Sequence, residues 1–256
     1  MSILAYHMVS PRFCWGLGRV TPALFDIQIK TALDAGYEFI SLSEYIERYP
    51  QIRGCVTLTF DDGYDCIYEY ALPILKKYRL TAAVFIMPAY AGMSNTWDVN
   101  WGGLLFNHLN WHQVKTLRDE GWEIGSHGYS HVDLSRLKER ELEKEVTWSK
   151  QLLETKLDTD IRTISYPFGN CTEPVYRYCA RAGYKAGLVM SRKPATVPDD
   201  FAMQRIGVYL TDFKHMFKAK LSSKYTTAFM GMQSILDFCS DGTVLVKQRL
   251  NLKIKS

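Results

Sequence analysis

Long apolar runs, paired cysteines and an excess of one charge are all scarce in this chain, and each scarcity removes a class of function. No stretch approaches the roughly 18 consecutive apolar residues that a membrane-spanning helix needs. Six cysteines are spread over 256 residues with no Cys-x-x-Cys spacing. Neither a disulfide framework nor a thiolate zinc site is therefore expected, and reduced, largely buried thiols are. The formal net charge is only +4, too mild and too scattered to indicate nucleic acid. No internal repeat or low-complexity tract occurs. Met1 to His7 carries no basic segment, and its apolar run is too short for a secretory leader. A cytoplasmic location is the expectation, although an exported chain that had lost its leader would look the same.

What the chain does have is a regular alternation of strand-like and helix-like segments. Hydrophobic residues make up 47% and charged residues 23%, the balance of a globular domain with a sizeable core. Strands are expected over 3–7, 39–42, 56–60, 81–86, 122–125, 163–166, 184–189 and 202–208. A first helix opens at Thr21-Pro22, with Thr as N-cap and Pro at the first helical position, and turns Leu24, Ile27, Leu33 and Ala35 inward. The most charged helix runs over 137–157, with Leu142, Val146 and Leu153 inward and its Lys and Glu residues in solvent. Repeated strand-then-helix units imply a parallel sheet, open or closed into a barrel. A long loop over 88–110 carries Trp97 and Trp101, and a loop that long in a compact domain signals function. After 221 the rhythm stops. Leu250, Leu252 and Ile254 then alternate with Arg249, Asn251, Lys253 and Lys255, a half-buried strand pattern in a C-terminal extension over 222–256. That extension is expected to pack on the barrel or on a second subunit.

Two clusters carry chemistry. The buried strand Val56-Thr57-Leu58-Thr59-Phe60 runs straight into Asp61-Asp62-Gly63. Adjacent acids on an extended chain point to different sides, so one can hold a metal while the other handles a proton. Alone, the pair would read as a helix cap. Downstream, His127 and His131 stand four apart at the end of another expected strand, near enough to share one metal. The C-terminal ends of parallel strands converge on one face. Two imidazoles, one carboxylate and open positions make a hydrolytic or oxygenase metal site.

Thr-Phe-Asp-Asp-Gly followed by His-x-x-x-His resembles the polysaccharide deacetylases of the NodB-homology type, carbohydrate esterase family four, over roughly residues 1–215. The resemblance implies a deformed (β/α) barrel as the catalytic domain, over 1–221, and one divalent metal, usually zinc. It also implies hydrolysis of N-acetyl groups from an amino sugar in a glycan. By that resemblance Asp61 is the general base, and Asp62, His127 and His131 are the metal ligands. The family's Arg-x-Pro-Tyr-like run corresponds to Ser165-Tyr166-Pro167-Phe168-Gly169, in which Ser165 replaces the arginine that orients the base. Arg205 is the expected stand-in, ahead of Arg162. Tyr166, Pro167, Phe168 and Gly169 are expected along the substrate groove, with a backbone N–H of this run facing the oxyanion. Asn95-Thr96-Trp97-Asp98 resembles a substrate-side loop, which adds Trp97 and Asp98. The family's C-terminal histidine acid has no counterpart, since only His215 follows Arg205. His7 ends the first strand on the same rim and is the candidate acid, with His131 or water as alternatives. Tyr6-His7 at the start resembles the branch acting on exopolysaccharide glucosamine polymers. Other readings keep the metal but take a non-sugar amide, an N-formyl or an O-acetyl group, or make the chain a carbohydrate-binding pseudoenzyme.

Overall fold

Period-two alternation along the strands decides the architecture. The computed structural model describes residues 2–15, 18–98, 100, 103–190 and 197–222. Trp101 and the strand expected around Leu250, Leu252 and Ile254 lie outside the described residues. In chain order the elements are β1 (Ser2–Tyr6), β2 (Met8–Val9), β3 (Arg19–Val20), α1 (Pro22–Asp34), β4 (Glu38–Phe39), α2 (Leu42–Arg48), β5 (Cys55–Phe60), α3 (Leu72–Tyr78) and β6 (Ala83–Ile86). They continue with α4 (Trp111–Asp119), β7 (Glu123–Ser126), α5 (Glu139–Leu157), β8 (Thr163–Ser165), α6 (Glu173–Ala182), β9 (Ala186–Val189), β10 (Met203–Gly207) and α7 (Lys214–Leu221).

Seven parallel strands, β1, β10, β9, β8, β7, β6 and β5, form a sheet that closes on itself where β1 pairs with β5, from Ser2↔Val56 to Tyr6↔Phe60. This is the expected deformed (β/α) barrel. The short β4 rides on the start of β5, and β2 and β3 make a separate pair. Leu4, Tyr6, Val56, Leu58, Phe60, Val84, Ile86, Ile124 and Ile164 face outward into one core shared with Phe25, Ile29, Leu75, Val114, Val146 and Leu153 of the helices. Their neighbours Ile3, Cys55, Ala83, Phe85, Ala186, Leu188 and Met203 form a second, smaller cluster in the barrel interior. Ile40, Ile52 and the α2 residues Leu42 and Tyr45 join that cluster and plug the barrel at the N-terminal ends of its strands. The opposite end, where the strands deliver their C-termini, is left for polar groups.

Helix caps follow the sequence closely. Thr21 accepts from Leu24 N–H at 3.2 Å ahead of Pro22, and Asn110 and Gln113 form a reciprocal capping box on α4. The buried face of α1 differs from expectation: Leu24, Phe25, Gln28, Ile29, Thr31 and Ala32 are inward, while Ile27 and Leu33 are exposed. The reason is a buried polar residue. Gln28 accepts from the Tyr6 hydroxyl and donates to the Asp212 carbonyl, which rotates the face away from a purely apolar stripe. Among the described residues, Cys55, Cys66, Cys171 and Cys179 are buried free thiols. No helix among the described residues is long and apolar enough to cross a membrane.

Candidate active site

β5 delivers its two acids through an abrupt turn. Asp61 continues the strand, its N–H donating to Tyr6 O at 2.9 Å. Asp62 and Gly63 are then both left-handed, with φ of 64° and 60°. A Cβ on Gly63 would stand 2.8 Å from the Ile86 side chain, so space and backbone both call for glycine there. Five non-glycine residues among those described have positive φ. Arg79 and Asp158 are ordinary helix C-caps; the other three, Asp62, His131 and Phe168, gather at this one rim. Strain of about 1–3 kcal/mol at each such residue persists where the surroundings over-determine it, as at functional sites.

The turn aims Asp62 Oδ1 at 3.3 Å from His127 Nε2 and 3.2 Å from His131 Nε2. All three side chains are buried, and Asp62 Oδ1 has no hydrogen-bond partner among the described residues. His127 Nδ1 lies 2.8 Å from Ser165 O. A carbonyl only accepts, so Nδ1 carries the proton and, in the neutral ring, Nε2 presents a lone pair. Burial alone would raise the pKa of Asp62, but the facing imidazoles hold it well below the usual carboxylate range. Burial also disfavours charge on both histidines. On His131 it prevails and lowers the pKa; on His127 the two acids outweigh it and raise the pKa. Lone-pair donors from the three side chains converge within 4.8 Å of one another. Two imidazole nitrogens and a buried, unpartnered carboxylate oxygen fit a divalent cation and little else.

Asp61 faces the other way and is held by Arg205. From β10, the guanidinium donates to Asp61 Oδ1 at 2.8 Å and Oδ2 at 2.6 Å, a bidentate pair with side-chain exposures of 0% and 3%. The same group donates to Ser165 Oγ at 2.8 Å and Thr59 Oγ1 at 3.2 Å. Ser165 is thus part of the arrangement: its short side chain accepts from an arginine that arrives from another strand. Burial pushes the Asp61 pKa up, but Arg205, with a smaller contribution from His127, holds it down at about 2. Arg162 is an exposed partner of Asp160 and is excluded from this role.

The remaining expected residues divide. His7 is half-buried on the same rim, adds to the charges that hold Asp61 and Asp62 ionised, and has a buried Nδ1 without a partner among the described residues. Trp97 lays its ring on His131, centroids 3.8 Å apart, and Phe168 approaches the same imidazole at 5.0 Å. Asp98, half-buried beside Trp97, lies close enough to act on the charge of His131. Tyr166, Pro167 and Gly169 are buried in packing contacts. Tyr166 is buried, with its hydroxyl donating to Phe201 O. Pro167 is buried against Gly128, and Gly169 packs so tightly on Met190 that a Cβ would stand 2.5 Å away. The alternation that puts Ser165 toward Arg205 turns Tyr166 outward into the core. The amides of Tyr166 and Gly169 donate to Leu188 O and Tyr166 O, which leaves the Phe168 N–H as that run's candidate oxyanion donor. His215 is exposed on α7.

Two residues escaped the sequence reading. Glu145, expected in solvent on α5, turns inward instead and accepts from the N–H groups of Tyr129 and Ser130 and from the Ser130 hydroxyl. It thereby pins the loop between His127 and His131. His108, buried at the end of the long loop, reaches the carbonyl of Asp62 at 2.8 Å. It lies 46 residues from Asp62, and no local pattern signals that contact.

Comparison with known proteins agrees with this geometry. The family described as Polysaccharide deacetylase matches residues 48–187. A Bacillus subtilis (strain 168) protein assigned by name to the polysaccharide deacetylases, YxkH, is 28% identical over 215 residues, covering 81% of this chain and 71% of its own. A poly-beta-1,6-N-acetyl-D-glucosamine N-deacetylase of Staphylococcus aureus (strain MRSA252) is 27% identical over 217 residues, covering 78% and 71%. The Streptococcus pyogenes deacetylase PplD, solved in complex with acetate, superposes with a TM-score of 0.74 at 25% identity, over 87% of this chain and 98% of that one.

Proposed function

We propose, from the premise that the chain belongs to the polysaccharide deacetylase family, that it removes N-acetyl groups from a β-linked poly-N-acetylglucosamine glycan with zinc as its metal. The chain is a carbohydrate deacetylase, a hydrolase acting on a C–N bond. The observation that carries the reading is the division of labour between adjacent acids. Asp62 Oδ1 closes a three-donor cluster with His127 and His131, while Asp61 is turned away into a bidentate clamp on Arg205.

Asp62, His127 and His131 would hold a divalent ion, which would supply Lewis acidity toward the amide carbonyl and a water molecule. Asp61 supplies the base. Each carboxylate oxygen accepts one Arg205 N–H and keeps a second acceptor site for the attacking water. Arg205 holds Asp61 ionised at neutral pH, so the carboxylate is available as the base. General-base assistance of this kind is worth roughly 10²- to 10⁴-fold. Arg205 fixes the carboxylate plane, and Thr59 and Ser165 fix Arg205. His7, on the neighbouring strand end, hands a proton to the leaving amine. Trp97 and Phe168 flank the His131 side of the centre and offer apolar faces to a sugar ring.

Acetate release from soluble β-1,6-linked N-acetylglucosamine oligomers tests the reading, run beside N-formyl and O-acetyl counterparts at matched zinc content. Preference for the N-acetyl oligomers supports it; faster turnover of either counterpart overturns the substrate assignment.

A further inference from the structure

We propose that His108 is a positioning residue that couples the Trp97 loop to the metal centre, holding Asp62 with one ring nitrogen and Trp97 with the other. The inference rests on the functional reading above for its substrate arm alone. His108 is 4% exposed. Its Nδ1 stands 2.8 Å from the main-chain oxygen of Asp62, and since a carbonyl can only accept, Nδ1 is the protonated nitrogen. Nε2 is then the acceptor, and Trp97 Nε1–H donates to it at 3.0 Å. Both ends of the ring are committed, so one tautomer is fixed.

Each end leads to a different metal ligand. On the Nδ1 side, the carbonyl belongs to Asp62 itself, whose backbone is left-handed at φ 64°. The next carbonyl, Gly63 O, accepts from Leu109 N–H at 2.8 Å, and Tyr64 bridges antiparallel to His108. His108 and Leu109 thus bracket the turn that aims the Asp62 carboxylate. On the Nε2 side, the tethered indole lies over the imidazole of His131 at 3.8 Å. The Trp97 loop is closed by local contacts, Thr96 N–H to Ser94 O and Asp98 N–H to Asn95 O, and by Asn95 Oδ1, which accepts from Phe106 N–H. A ligand that displaces Trp97 therefore pulls on His108, and through it on Asp62. A core histidine serving packing alone would not need both nitrogens placed on groups that each contact the metal cluster.

The two arms separate by substitution. His108→Asn places an amide nitrogen near the position of Nδ1, keeping a donor to Asp62 O and losing the acceptor for Trp97. His108→Gln places amide atoms near Nε2, keeping a partner for Trp97 and losing the donor to Asp62 O. Zinc affinity is read by competition with a chromophoric chelator, and KM and kcat for acetate release are read at saturating zinc. His108→Gln is expected to weaken zinc by about 10- to 100-fold, the usual cost of losing support behind a ligand. His108→Asn is expected to leave zinc affinity within about threefold while raising KM about five- to tenfold, the loss of one buried hydrogen bond. Trp97→Phe, which deletes the N–H and keeps a ring, should match His108→Asn. Equal losses in both His108 variants, or parental zinc affinity and KM in both, overturn the inference. If neither His108 variant folds, replacing Trp97 by benzothienylalanine, which keeps the bicyclic face and deletes only the N–H donated to His108, decides alone: a raised KM supports the coupling and a parental KM overturns it. If the parent releases no acetate, the functional reading fails, and the zinc affinities still decide the Asp62 arm.

Discussion

Replacing Arg205 by methionine probes the buried pair at the base of the site. The substitution keeps most of the apolar stem and removes the donors to Asp61 Oδ1, Asp61 Oδ2, Ser165 Oγ and Thr59 Oγ1. Both partners are desolvated, with side-chain exposures of 0% and 3%, so Asp61 would be left as an uncompensated buried charge. Breaking such a pair from one side costs about 3–5 kcal/mol, against about 1 kcal/mol or less for an exposed pair. The sign of the pH dependence follows. In the parent, Asp61 is held at about 2, below its unfolded value of about 3.9. Its contribution is therefore fully present above about pH 4 and is lost as pH falls through about 2. Without Arg205, burial is opposed only by His127 and His7, so Asp61 titrates higher than in the parent, and the variant's penalty is largest at neutral pH and shrinks on acidification. Urea unfolding of parent and variant, at pH 7 and again near pH 5, measures both effects. Adding Asp61→Asn to Arg205→Met should recover more than half of the loss, because the stranded charge is gone. A loss below about 1 kcal/mol at pH 7, or a double variant no more stable than Arg205→Met alone, would refute the reasoning.

Asp61→Asn by itself should keep metal content at the parental level and cut acetate release by roughly 10²- to 10⁴-fold; activity near that of the parent would remove Asp61 from the role of base. Tyr166→Phe should cost about 1 kcal/mol in stability through the lost bond to Phe201 O and leave KM unchanged. A KM shift without a stability change would restore Tyr166 to the groove. Phe168→Ala, beside His131, should do the reverse, raising KM with little effect on the unfolding midpoint.

The barrel, and the two short motifs that bring Asp62, His127 and His131 together, were legible because both are written locally. Strand alternation, the Thr21-Pro22 cap and the Asp-Asp-Gly turn are properties of a few neighbouring residues, and parallel strands place their ends on one rim. Arg205 was legible for a related reason: it lies on a strand that must return to that rim. What the sequence hid are side-chain contacts between distant segments. Gln28 reads as a surface residue until Tyr6 and Asp212 are placed beside it, and its burial shifts the inner face of α1. Glu145 sits in a charge-rich helix, and only the backbone amides of Tyr129 and Ser130 distinguish it from its solvated neighbours. The run from Tyr166 to Gly169 matched a groove motif in residue type, yet the strand alternation that turns Ser165 toward Arg205 sends Tyr166 into the core. His108 is the extreme case, since its two partners are a backbone carbonyl 46 residues away and an indole across the loop.

The central claim is that Asp62, His127 and His131 hold one divalent ion and that acetate release depends on it. Zinc titrated into chelator-treated protein, with acetate release from N-acetylglucosamine oligomers followed at each addition, tests it most directly. The account predicts that activity rises from background, saturates at one equivalent, and does not appear in Asp62→Ala, His127→Ala or His131→Ala at any equivalence. Full activity in chelator-treated protein, or in any of those three variants, would contradict it.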